Sequence, residues 1–266
     1  MNKIEVTVLD SHKNPAGMMM FLAKLTQRGH QIQCMDDLMW LYNSCMSGEE
    51  FNTAADVALM PHGTIKRFTP ITVAIVGASR RFLAQARTHQ VGMNFVSASL
   101  QYSDYSDKAR FVVPYPILAA GGLALNTYDK SCDSSMDAYK ELIQACGIDN
   151  DSAGYVAPQG MRNILIMQGN HDSWRYFIRT RGCNRNTVET QYVTMRIWHE
   201  LLHTVDGSQM FYHAGPDCCY GTCREGKMTC GKSLQPLAQK ARTLAIPLSW
   251  LIISRKWPLL GGDLVC

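Results

Sequence analysis

Apolar side chains recur along this chain in two rhythms, and together they lay out its elements. Residues 4–9 (Ile-Glu-Val-Thr-Val-Leu) alternate and are rich in β-branched types, the pattern of a half-buried strand. A turn over Asp10–Pro15 then opens a helix over 16–28 carrying Met19, Phe21, Leu22 and Leu25. A second helix is expected over 35–47, with Met39, Trp40, Tyr42 and Met46 as core positions, and a short amphipathic one over 51–61, stopped by Pro61. Residues 68–76 alternate again as a strand. Gly77-Ala78-Ser79 hands them to a helix that places Phe82, Leu83 and Ala86 on one side and ends near Arg87.

Further on, residues 108–113 read as a strand entering Pro114-Tyr115-Pro116. Met136, Tyr139, Leu142, Ile143 and Cys146 recur at three- and four-residue steps, so a helix is expected over 133–146, with Asp133 or Ser134 as N-cap and Gly147 as its stop. Residues 162–168 form a buried strand pattern. Asn170 can cap a helix through Thr180, and a last helix over 187–203 carries Val188, Tyr192, Met195, Trp198 and Leu202 on one face. The elements imply an α+β domain built on a mixed sheet flanked by helices, with no internal repeat.

Composition narrows the class. At 266 residues, 46% hydrophobic and 18% charged, the chain can bury a substantial core and is not disordered. Its net charge of +4 is too weak to imply nucleic acid. No apolar run reaches the roughly 18 residues of a membrane helix, and residues 1–6 carry no basic-then-apolar leader, so a cytoplasmic protein with reduced thiols is expected from its ten cysteines. Cys218, Cys219, Cys223 and Cys230 lack the paired spacing of a zinc site, and His199 and His203 read as a solvated pair near a helix end. No metal is expected.

Two stretches carry candidate chemistry. Between 87 and 106, Arg87, His89, Gln90 and Asn94 precede Ser97, Ser99, Ser103 and Ser106, interleaved with Tyr102 and Tyr105. A forked cation beside hydroxyls and loop amides suits a phosphorylated, flat-ringed ligand. Between 170 and 185, Arg175, Arg179, Arg181 and Arg185 alternate with Trp174, Tyr176, Phe177 and Ile178. Part of that basic face must therefore be buried, and a buried guanidinium needs an anionic or carbonyl partner. No Gly-x-Gly-x-x-Gly or P-loop is present.

These residues resemble the flavin-dependent thymidylate synthases, the ThyX family. Arg87 followed by Asn94 and Ser97 is similar to the family's Arg-His-Arg signature with its downstream Asn and Ser. His62-Gly63-Thr64 matches an upstream His and Ser/Thr, and Asn170-His171, Trp174-Arg175, Arg181 and Cys183–Glu189 match a second block. Residues 214–218 and 225–232 are similar to the C-terminal end of a bacterial branch. The resemblance spans 4–232 and leaves 233–266 as an extension of unknown role.

It implies a homotetramer with active sites between subunits, binding no nucleic acid and no membrane. That enzyme converts dUMP to dTMP, with methylenetetrahydrofolate as carbon donor and NADPH reducing a bound FAD. By position, Arg181 is the arginine that stabilises charge on the pyrimidine. The resemblance puts Gln85, Arg87, Ser97, Ala98, Ser99, Gln101, Tyr102 and Arg181 on the nucleotide. It puts His62, Thr64, Arg87, Thr88, His89, Asn94, Asn170, Tyr176 and Arg185 around the flavin.

The chain also departs from the family. Thr88 and His89 replace the second and third residues of the triplet, and Phe95 stands where Glu is common. The serine loop is two residues longer, with Gln101 in place of an arginine. Asp172 stands where many members carry a flavin-site Arg, and Gly154 where a phosphate Arg is expected. Phosphate recognition is then expected from Ser97, Ser99, Gln101 and backbone amides, helped by Arg162. Two alternatives stay open: a flavin-dependent methylase or hydroxymethylase of another pyrimidine nucleotide such as dCMP, and a non-catalytic flavin- or nucleotide-binding homologue.

Overall fold

The computed structural model describes residues 4–48, 63–107, 109–221 and 223–231. The helix expected over 51–61, His62 and the extension over 233–266 lie outside the described residues.

Four strands form the sheet: β1 (Glu5–Ser11), β2 (Ile71–Ser79), β3 (Met93–Ser97) and β4 (Arg162–Gly169), in the order β1-β2-β4-β3. Every neighbouring pair is antiparallel, so the sheet is not mixed as expected. The reason is topological. A helical crossover joins β2 to β3 and makes them parallel to each other, but β4 inserts between them and runs against both.

The strand β3 falls where the sequence reads as a helix end passing into a hydroxyl-rich loop. Met93 is buried while Asn94 and Val96 are exposed, the alternation of an edge strand with one face on the core. The segment 108–113, read as a strand, keeps only an isolated bridge between Phe111 and Met161. Phe68, expected in a strand, lies in a 3₁₀ turn over Ile65–Phe68.

Around the sheet run α1 (Pro15–Arg28), α2 (Met35–Ser47), α3 (Arg80–Arg87), α4 (Tyr115–Ala120), α5 (Gly122–Gln144), α6 (Asn150–Ala153), α7 (His171–Arg181) and α8 (Val188–Thr204). Side chains cap several of them, Asn170 as the sequence implies. Asn14 accepts from Gly17 N–H at 2.8 Å, Asn170 from Ser173 N–H at 2.9 Å and Thr187 from Thr190 N–H at 3.2 Å. The helix expected to start at Asp133 or Ser134 begins eleven residues earlier, at Gly122. Both polar residues are exposed and interior to α5, because Cys132 and Tyr128 continue its inner stripe upstream. Gly147, at φ +70°, stops the chain as expected, with Ile148 N–H reaching Leu142 C=O at 2.9 Å.

On α2 the buried positions are Leu41, Ser44 and Cys45, whereas Met39 and Trp40 are exposed, Trp40 by 65%. Two of the four side chains expected in the core therefore lie outside it. A helix packing on one neighbour buries only one stripe, and α1 meets the stripe of Leu41 and Cys45.

The main core joins the inner face of the sheet to α7 and α8: Val73, Ile75, Leu165 and Met167 against Trp174, Phe177, Val193, Ile197 and Trp198. A smaller cluster of Met136, Tyr139, Ala153 and Met161 buries Leu100. Trp198 Nε1 donates to Phe211 C=O at 2.8 Å, satisfying its buried N–H.

His171, at the first position of α7, is 2% exposed and stacks on Phe211 with ring centroids 5.3 Å apart. Its Nδ1 meets Thr69 Oγ1 at 2.9 Å, while Nε2 is buried with no hydrogen-bond partner among the described residues. Burial first, then the nearby Arg175, His12 and Lys66 charges, outweigh the Thr69 contact and push its pKa down to about 4. The folded state thus prefers the neutral ring, and unfolding takes up a proton once the pH falls below the unfolded value of about 6.5. Stability is expected to decline between about pH 6.5 and pH 4, by up to about 3 kcal/mol from this residue. Urea midpoints of wild type and His171→Gln across that window check this. The variant is expected to show the flatter profile, and parallel profiles would exclude His171 as a cause.

Candidate nucleotide and flavin site

Helix α3 is the element that organises the site. Ser79 Oγ accepts from Phe82 N–H at 3.1 Å and so caps it. Glu189, in the first turn of α8, holds Ser79 in turn: its carboxylate accepts from Ser79 N–H at 2.6 Å and from Ser79 Oγ–H at 2.5 Å. Burial pushes the Glu189 carboxyl pKa up, and the two Ser79 contacts oppose that. A second tie runs from Thr190 Oγ1 to Gln85 Oε1 at 2.5 Å. The start of α8, reached by the chain just after Arg181 and Arg185, therefore fixes the helix that carries Arg87.

Arg87 extends from α3 to β3, where its Nη2 donates to Ser97 Oγ at 2.5 Å. Beyond Ser97 the loop turns through Leu100, with Gln101 N–H donating to Ser99 Oγ at 3.1 Å and Asn163 Nδ2 to Ala98 C=O at 3.1 Å. Together they line a cavity of about 560 Å³. Of the residues expected on a nucleotide, Arg87, Ser97, Ala98, Ser99 and Gln101 meet on its wall. Gln85, Tyr102 and Arg181 do not line it: Gln85 has its amide oxygen on α8, Tyr102 is 83% exposed, and Arg181 reaches Thr88.

Sequence reasoning left Arg80, Asp151, Gln159 and Asn163 out of this wall. The signal for Arg80 was present, since residues 80 and 87 of one helix lie two turns apart on one face. Arg162, expected to help with phosphate, does not line the cavity; its Nε donates to Gly77 C=O at 3.1 Å. Gly77, at φ +90°, forms the bulge in β2, and a Cβ there would fall 2.0 Å from Arg162 Nη2.

Arg181, the last residue of α7, reaches back to α3. Its Nη2 donates to Thr88 Oγ1 at 2.6 Å and its Nη1 to Asn186 Oδ1 at 3.4 Å. Its Nε is buried with no partner among the described residues. Burial lowers its proton affinity, the nearby Tyr176 opposes this, and the group remains a cation. Beside it lies His89, 5% exposed, with ring centroids 4.6 Å from Tyr176 and 5.2 Å from Phe177. Burial first and the Arg181 charge second hold the His89 pKa at about 4, so the ring is neutral, and its Nε2 also lacks a partner among the described residues.

Thr88, His89, Tyr176 and Arg181 thus converge. The other described residues expected at the flavin make different contacts. Asn94 is exposed on β3 and reaches Gln168 Oε1 at 3.4 Å, and Thr64 opens the 3₁₀ turn over Ile65–Phe68. Asn170 caps α7, and Arg185 Nη1 donates to Met228 C=O at 2.9 Å. Asp172, in place of a family arginine, faces cations: Lys66 Nζ at 3.4 Å and Arg175 Nη1 at 3.9 Å. Among the described residues no three His, Cys, Asp or Glu side chains assemble as a metal site, and no helix is long and apolar enough to cross a membrane.

Known proteins share this fold. The family model described as thymidylate synthase complementing protein matches residues 7–205. A flavin-dependent thymidylate synthase of Geobacter sulfurreducens is 27% identical over 177 residues, 65% of this chain and 73% of the relative. One from Clostridium tetani is 24% identical over 181 residues, 62% and 70% of the two chains. Among solved structures, Helicobacter pylori ThyX complexed with FAD and dUMP superposes with a TM-score of 0.54 at 15% identity, covering 78% of this chain and 96% of the other. The UMP/dUMP methylase PolB of Streptomyces cacaoi, bound with 5-Br dUMP, gives 0.56 at 14% identity, covering 81% and 96%.

Proposed function

We propose, from the premise that this chain belongs to the thymidylate synthase complementing protein family, that it is a flavin-dependent thymidylate synthase. In this reading it methylates dUMP reductively to dTMP with methylenetetrahydrofolate and NADPH as co-substrates. It works as a homotetramer whose active sites form between subunits. The observation that carries the reading is Arg181, a part-buried cation held by Thr88 and Asn186 beside the neutral His89, at the position the family resemblance gives to pyrimidine activation.

The residues fit FAD on one count visible here. Two buried polar atoms, Arg181 Nε and His89 Nε2, lack partners among the described residues and stand with the ring of Tyr176, as a flat ligand with edge acceptors and donors requires. Thr88, His89 and Tyr176 would hold the flavin. Bound FAD supplies the hydride chemistry that amino-acid side chains lack. The chain's own part is binding and electrostatics. Arg87, Ser97, Ser99 and Gln101 hold the nucleotide, and Arg181 presents a fixed cation to the negative charge that develops on the uracil ring. Because Thr88 and Asn186 already orient that guanidinium, little reorganisation accompanies the step.

One observation supports a second reading. Leu100 occupies the space beside Gly154, where the family resemblance expects a phosphate arginine, so this pocket differs from that of a standard member. A different pyrimidine nucleotide, such as dCMP, is the substrate in that reading.

Absorbance spectra of the purified protein, then anaerobic NADPH addition with dUMP or dCMP, test both. Bound flavin that bleaches and turns over to dTMP with methylenetetrahydrofolate is the expected result. Turnover on dCMP alone transfers the reading to the second substrate. No flavin after reconstitution with excess FAD overturns both, and flavin that NADPH never reduces with either nucleotide indicates a non-catalytic homologue.

A further inference from the structure

The nucleotide cavity contains a second arginine that the reading above does not use. Arg80 lines it together with Arg87, Ser97, Ser99 and Gln101. Its backbone N–H is fixed to Met161 C=O at 2.9 Å at the start of α3. Its guanidinium is part-buried and makes no hydrogen bond or ion pair among the described residues. The charges acting on it are Arg87, a like charge, and Tyr105. The carboxylate on the same wall, Asp151, is exposed and pairs with neither arginine among the described residues.

Two guanidinium groups two turns apart on one helix face line the same cleft, and as like charges they repel each other. A dianion between them removes that repulsion and satisfies both forks, and a phosphate monoester has the charge and the oxygens to do so.

The loop explains why the second cation comes from α3. A Cβ at Gly154 would lie 3.0 Å from Leu100 Cδ1 and 3.3 Å from its Cβ. Leu100 is 8% exposed and anchored by Met136, Tyr139 and Ala153, so it cannot easily yield. A side chain at 154 would require Leu100 to shift by a few tenths of an ångström, Gly154 itself carries no charge, and neither does the neighbouring loop residue Gln101.

We infer that Arg80 is the second arm of the phosphate clamp in this chain: Arg80 and Arg87 grip the 5′-phosphate of a pyrimidine nucleoside monophosphate, with the Ser97 and Ser99 hydroxyls completing its shell. This rests on the nucleotide-site reading above. It assigns to α3, and not to the segment after α6, the work of a phosphate arginine.

The test measures affinities of dUMP and of deoxyuridine, which lacks only the phosphate, by calorimetry on the FAD-reconstituted wild type, Arg80→Gln and Arg80→Lys. Thermal melts and flavin content of each variant verify folding. The clamp predicts that the wild type prefers dUMP over deoxyuridine by at least about 100-fold. In R80Q that preference falls about tenfold or more while deoxyuridine affinity stays within about twofold, and R80K recovers part of the loss. Should R80Q fail to fold, R80K alone decides, since it keeps the charge but loses the fork and must still weaken dUMP severalfold. Unchanged dUMP preference in a folded R80Q or R80K overturns the clamp and leaves the nucleotide-site reading intact. A wild type that binds dUMP no better than deoxyuridine overturns the clamp and also removes phosphate recognition from that reading.

Discussion

Arg181→Ala is expected to slow thymidylate formation by about 10²–10³-fold at saturating dUMP, the usual cost of removing one preorganised donor aimed at developing charge. The cation is set by three contacts of this fold: Thr88 Oγ1 at 2.6 Å, Asn186 Oδ1 at 3.4 Å, and the packing that leaves Nε buried. A lysine cannot reproduce them, because its single ammonium lacks the planar fork, so Arg181→Lys is expected to recover less than about tenfold of the loss. The informative readout is single-turnover chemistry with the reduced enzyme, compared with flavin content and dUMP affinity. The reading requires the chemical step to fall much further than dUMP binding weakens. A variant whose loss lies entirely in dUMP affinity makes Arg181 a binding residue only, and full activity removes it from the site.

Trp174→Ala is expected to cost about 3–5 kcal/mol of folding stability. Trp174 is fully buried, meets Phe177 edge-on at 5.9 Å, and donates from Nε1 to Ile71 C=O at 3.0 Å. Alanine leaves both a cavity between α7 and the sheet and a carbonyl without its donor. Trp174→Phe keeps most of the volume and is expected to cost about 1–2 kcal/mol less than alanine, which separates the packing term from the hydrogen bond. Urea denaturation midpoints at constant slope measure both. A loss below about 1 kcal/mol for alanine would show that the core collapses around the site. The effect reaches function as well, since Trp174 lies on the helix that ends in Arg181.

Much of this architecture is legible in the chain. β1, β2, β4, α1, α3, α7 and α8 sit close to where alternation and three-four spacing place them, because each has one strongly apolar face. The errors share a cause. The strand β3 escapes a local reading because Asn94 and Ser97 look like loop residues until β4 supplies an edge for them to pair with. Trp40 reads as core because it is large and apolar, but only contact with α1 chooses which stripe of α2 is buried. The sheet reads as mixed because helices alternate with strands, and no local pattern reveals that β4 inserts between β2 and β3.

The candidate site divides in the same way. Arg87, Ser97, Ser99 and Gln101 are near in sequence, so their convergence on one cavity follows from a short helix–strand connection. Arg162 is also a strand-end arginine near Ser97, yet the bulge at Gly77 draws it away, a cross-strand effect that composition does not carry.

The sequence by itself determined which segments are amphipathic and which residue types can meet a phosphorylated, flat-ringed ligand, because those properties arise within one or two turns of chain. Tertiary structure alone decided that Arg181 meets Thr88 across 93 residues, that Glu189 pins Ser79 across 110, and that Leu100 closes the space beside Gly154. Those contacts join segments whose local patterns are silent about each other, and only the packing of α3, α7 and α8 against one sheet brings them together.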